Sequence, residues 1–133
     1  MKATADTNVL LRALLDDHPS QSAAARRALA EAERIAVTLP TLCEVAWVLR
    51  RGYGRSGHEI AAAIEAMAAI PDIALDHAAV GAGLSLLAQG GDFADGVIAF
   101  EGGRLGGETF LTFDREAAGL LERAGVRTML LPS

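Results

Sequence analysis

Four carboxylates stand where they could do more than keep the chain in solution: Asp6, Glu44, Asp95 and Asp114. Asp6 follows a short strand-like opening and precedes an apolar helical run. Glu44 lies in Thr41-Leu42-Cys43-Glu44, just past a second strand-like segment. Asp95 lies in Asp92-Phe93-Ala94-Asp95, after Gly90-Gly91, and Asp114 closes Phe110-Leu111-Thr112-Phe113-Asp114. Carboxylates that meet repel one another, so a cluster needs raised pKa values or a divalent cation. Oxygen ligands with no Cys or His close by select Mg²⁺ or Mn²⁺. His18, His58 and His77 are scattered and have no zinc spacing.

Each acid has a simpler reading beside the chemical one. Thr41-x-x-Glu44 fits a capping box, with Glu44 in the first turn of its helix. Asp92 is a good cap, and Asp95 falls in the favourable first turn behind it. Asp6 and Asp114 could each cap the helix that follows. Capping accounts for every acid singly, but not for four of them gathering at one edge of a sheet.

The elements that would position them alternate. Strands are expected over 2–5, 35–38, 73–75, 109–112 and 126–131. Helices are expected over 8–15, from a Ser20 cap to 34 with Leu29 turned inward, then 42–51, 57–69, 77–89, 92–102 and 115–124. His18-Pro19 should break the first helix, and Ser56 with Glu59 should open the fourth. Alternation of this kind predicts a mostly parallel sheet with helices on both faces. Ligands of such sheets bind beyond the carboxyl ends of the strands.

The chain of 133 residues suits one domain, taken here as residues 1–133, and half of it is apolar. No stretch approaches the roughly 20 apolar residues of a membrane span, so a cytoplasmic protein without a membrane partner is expected. The single cysteine, Cys43, builds no disulfide framework and reads as a small core residue. A net charge of −5 speaks against nucleic acid. Set the four candidate acids aside, however, and 13 acids face 12 bases. A bound cation would then make the acidic region attractive to phosphate. Arg50, Arg51 and Arg55 are candidates for gripping an RNA backbone, or equally a solvated helix end whose cations favour the dipole. Low aromatic content argues against base recognition across a sheet.

These segments resemble the motifs of PIN-domain nucleases. Asp6-Thr7-Asn8 is similar to the opening motif and Leu39-Pro40-Thr41-Leu42-Cys43-Glu44-Val45 to the second. Gly91-Asp92-Phe93-Ala94-Asp95-Gly96-Val97-Ile98-Ala99 is similar to the third, and Leu111-Thr112-Phe113-Asp114-Arg115 to the fourth. They occur in family order and span nearly the whole chain. The compact size and the Pro-Thr-x-x-Glu form look most like VapC-type toxins of bacterial toxin–antitoxin pairs. The resemblance implies an α/β/α sandwich with a central, mostly parallel sheet. It implies Mg²⁺- or Mn²⁺-dependent RNA cleavage, with Asp6, Glu44, Asp95 and Asp114 as catalytic acids and metal ligands. Asp92 matches an acid often found beside that site. Thr7, Asn8 and Thr112 adjoin the acids and could bond them or a metal-bound water. Homodimers and a cognate antitoxin covering the acidic pocket are also implied. Gly96 departs from the pattern, where a larger residue such as Ala is commoner.

Three other readings compete. A phosphoacceptor receiver would want a paired early acid and a late lysine at a strand end, but Lys2 is the only lysine. A PIN-like binding module without catalysis would not need all four acids. A PIN nuclease of RNA maturation would carry the same residues as a toxin.

Overall fold

The computed structural model describes residues 1–133 and contains seven helices and five short strands. The chain divides into two compact units, Met1–Asp76 and His77–Ser133. No helix is long and apolar enough to cross a membrane.

The first unit runs β1 (Lys2–Thr4), α1 (Thr7–Leu14), α2 (Pro19–Glu31), β2 (Arg34–Ala36), α3 (Leu39–Arg51), α4 (Gly57–Ala68) and β3 (Ile73–Ala74). Its strands pair in parallel, in the order β1-β2-β3, with Ala3 beside Ile35 and Ile35 beside Ile73. Apolar residues at helical spacing bury Leu10 and Leu11 on α1, Leu42, Val45 and Leu49 on α3, and Ile60, Ile64 and Met67 on α4. The α4 start is a full capping box. The Glu59 amide donates to Ser56 Oγ at 3.1 Å and the Ser56 amide to Glu59 Oε1 at 3.0 Å.

Two helix starts lie earlier than the sequence led us to expect. The second helix begins at Pro19, capped by His18 Nδ1, which accepts from the Gln21 amide at 3.4 Å. Proline ends α1 only by starting α2, because its missing N–H and fixed φ suit a first helical position. The helix stops at Glu31, and Arg34 is already strand. Ser22 and Ala25 are its buried residues, with Leu29 only half-buried. The third helix begins at Leu39, with Thr38 at the cap and Pro40 in the first turn. Thr41 is therefore inside the helix, and the expected Thr41–Glu44 capping box does not exist.

The second unit runs α5 (His77–Ala88), α6 (Phe93–Arg104), β4 (Phe110–Thr112), α7 (Arg115–Arg123) and β5 (Thr128–Leu130). Strands β4 and β5 pair in parallel, Leu111 beside Met129. Leu86, Leu120 and Leu121 form its core, with Ala99, Phe110 and Val126 packed around them. Helices α5 and α6 approach closely at two glycines. A Cβ on Gly96 would stand 2.6 Å from the Ala82 carbonyl oxygen, and one on Gly83 would stand 2.7 Å from the Phe93 ring.

Helix α5 ends in a Schellman turn. The Gly90 amide donates to the Leu87 carbonyl at 3.0 Å and the Gly91 amide to the Leu86 carbonyl at 3.0 Å. Gly90 has φ +93°, where a Cβ is strained although nothing crowds it. Gly90→Ala is expected to cost about 1–2 kcal/mol, read as a lower midpoint in urea with an unchanged slope.

Candidate acidic site

Asp6 lies two residues past β1 and is the N-cap of α1, its Oδ1 accepting from the Val9 amide at 3.0 Å. Asp114 repeats the construction two residues past β4. It caps α7, its Oδ1 accepting from the amides of Glu116 at 2.9 Å and Ala117 at 3.1 Å. Thr112 Oγ1 accepts from the Asp114 amide at 2.9 Å. Thr112 therefore fixes the backbone that carries the carboxylate, and does not bond the carboxylate itself. Both caps use a single oxygen, Oδ1. The capping and chemical readings are thus compatible, since Oδ2 is not spent on either helix.

Glu44 differs from the expectation in its place on the helix. It is exposed in the second turn of α3, not the first, so it has no capping work to do. Within the first unit, Asp6 and the helix bearing Glu44 both follow the carboxyl ends of parallel, paired strands.

In the second unit, Asp92 occupies the cap position of α6, yet its side chain makes no capping bond. Asp95 lies one turn in and is half-buried. Burial, then the charges of Asp92 and Asp114, push its carboxyl above the ordinary value. Asp95 therefore feels the charges of Asp92 and Asp114, although neither unit gathers three or more His, Cys, Asp or Glu side chains into a group able to hold an ion.

Two acids elsewhere in the chain are neutralised by arginines. Asp16 pairs with Arg26 at 2.8 Å. Asp17 pairs with Arg12 at 2.8 Å and accepts from the Tyr53 hydroxyl at 2.5 Å, which holds its carboxyl below the usual range. No such base accompanies Asp6, Glu44, Asp92, Asp95 or Asp114.

Among the candidate RNA contacts, Arg50 and Arg51 fill the last turn of α3 and complement its dipole. Arg55 lies 3.6 Å from Glu59 across an exposed i,i+4 pair. Cys43 is half-buried, and loss of solvent raises its thiol pKa. The sequence reading made it a core residue, and the structure leaves it at the edge of the core with a thiol disfavoured as a thiolate. Trp47 was missed as a surface residue. The signal was its place on the same helical stripe as Glu44.

Parallel strand pairs with helices between them define an α/β protein, with a carboxylate just beyond the end of β1 and another beyond the end of β4. The PIN domain family model matches residues 3–123, across both units, and the chain belongs to that family. Family membership carries the α/β/α fold class with it. The PIN domain is generally a nuclease fold, and its nucleases generally use divalent metals such as Mg²⁺. A comparison with curated proteins finds no match.

Proposed function

We propose that the protein is a Mg²⁺- or Mn²⁺-dependent endoribonuclease, acting in the cytoplasm as the toxin of a bacterial type II toxin–antitoxin pair. The observation that carries this reading is the half-buried Asp95 carboxyl, raised by burial and by two neighbouring acids. A divalent cation relieves such crowding, and all-oxygen donors fit a hard one. Asp6, Glu44, Asp95 and Asp114 are the proposed ligands and catalytic acids, with Asp92 beside Asp95. When bound, the ion supplies an acidified water and charge stabilisation for the phosphodiester oxygens.

The chain's own residues supply positioning and proton handling. Asp6 and Asp114 are anchored through Oδ1 to backbone amides, which fixes where their other oxygen lies. Glu44, free of a cap, is suited to take the proton of the attacking water. Arg50, Arg51 and Arg55 would meet the RNA backbone. The compact chain and its Pro40-Thr41-x-x-Glu44 pattern support the toxin assignment, and with it a homodimer and a cognate antitoxin.

Purified protein should cleave RNA in Mg²⁺ and stop in excess EDTA. Undiminished cleavage in EDTA would overturn the metal assignment. Asp6→Asn should lower the rate by about 10²–10³-fold. Asparagine still offers a cap oxygen, so its melting curve should match wild type within about 0.5 kcal/mol. Expression should arrest growth, and a co-expressed neighbouring gene should relieve it. RNA cleavage with no arrest would move the assignment to RNA maturation.

A further inference from the structure

Pro40, Glu44, Trp47 and Arg51 form one continuous stripe on α3, at helical spacing, and all four are exposed. The opposite face, Leu42, Val45, Ala46 and Leu49, is buried. Trp47 is the only tryptophan in the chain, and 63% of its surface is open to solvent. A large aromatic ring left in water on an otherwise well-buried helix calls for a partner. Its neighbours define the chemistry of that partner. One turn toward the helix start stands Glu44, a proposed catalytic acid. One turn toward the helix end stands Arg51, with no acid paired to it.

Acid, aromatic face and guanidinium therefore follow one another along about 10 Å of helix axis. A ring open to solvent beside a guanidinium with no acid paired to it is a flat apolar face next to a cation. It suits a nucleotide, whose base has a flat face and whose phosphate is an anion.

Resting on the endoribonuclease reading, we infer that Trp47 is a stacking platform for one unpaired base next to the scissile phosphodiester, with Arg51 holding an adjacent phosphate. The substrate is then single-stranded at the cut, because a base within a duplex has no free face to offer. One ring on a helix reads no sequence by itself, so the preference is for strandedness.

The sole tryptophan makes the test direct. In an Asp114→Asn background, expected to bind RNA without cutting it, a short single-stranded RNA should quench intrinsic fluorescence. The same sequence as a duplex should not. In the otherwise wild-type protein, Trp47→Ala should raise KM about 10-fold or more and leave kcat nearly unchanged, while Trp47→Phe should restore most of the loss. Because Trp47 is exposed, both variants should melt with wild type. Cleavage with normal KM in Trp47→Ala, or RNA binding without quenching, would overturn the stacking role and leave the nuclease reading standing. Fluorescence that changes with protein concentration alone would assign the surface to a second copy of the chain. Failure of the wild-type protein to cut any RNA would overturn both readings.

Discussion

Asp95→Asn is expected to lower RNA cleavage by about 10²–10³-fold and, in the same protein without metal, to raise the melting temperature. The two effects have one cause. Burial and the charges of Asp92 and Asp114 make the Asp95 carboxylate costly in the folded chain. The folded protein thus binds that proton more tightly than the unfolded chain does. Its unfavourable contribution is absent below the ordinary carboxyl pKa and grows as pH rises through the raised value. Asparagine removes the charge and keeps the shape. Asp95 is only half-buried, so solvent discounts the gain, and a rise of up to about 3 °C at neutral pH is expected. The gap between the two melting curves should close as pH falls below the ordinary carboxyl range. Saturating Mg²⁺ should also narrow it, by stabilising wild type alone. A melting temperature that falls in Asp95→Asn at neutral pH would make the residue structural and remove the observation on which the function rests.

The second large effect is on stability. Gly96→Val is expected to destabilise the fold by about 3 kcal/mol, or roughly 10 °C in melting temperature. A Cβ at 96 would stand 2.6 Å from the Ala82 carbonyl oxygen and 2.9 Å from the Gly83 Cα. Both are backbone atoms of α5, so no side chain can turn aside, and the two helices must part. Gly81→Ala, on the same α5, is the control. Nothing lies within 4 Å of its added methyl. Removing a helical glycine there should stabilise by about 0.5–1 kcal/mol. Calorimetry of the two variants separates crowding from helix propensity. If Gly96→Val melts with wild type, the close approach of α5 and α6 is not obligatory.

Much of this was legible in the sequence, and the failures have physical causes. Alternating apolar runs and breakers placed every helix and strand in order. The motif acids Asp6 and Asp114 were found just past strands because a short strand-like segment ends within two residues of each. Helix starts were misjudged at His18-Pro19 and Thr38-Leu39-Pro40. In both places proline was treated as a boundary where it is a first-turn residue. The error mattered at Glu44, whose apparent capping box disguised an uncommitted carboxylate. Gly96 read only as a departure from the family pattern. Its reason lies across a helix–helix contact, with Gly83 thirteen positions away, and local pattern carries no trace of such a contact. Trp47 was equally opaque, because an apolar residue in an amphipathic helix is usually counted as core. Its angular position, shared with Glu44 and Arg51, was the available clue.

The one-oxygen caps of Asp6 and Asp114 have a consequence for how this chain can change over time. Exchanging a single atom in either carboxylate for an amide nitrogen leaves the helix start served and takes away the charge. Silencing the chemistry therefore demands no structural repair, and an inert descendant would fold as well as its parent. On the toxin reading proposed above, such a copy would keep the surface that a cognate antitoxin meets, and could compete for it.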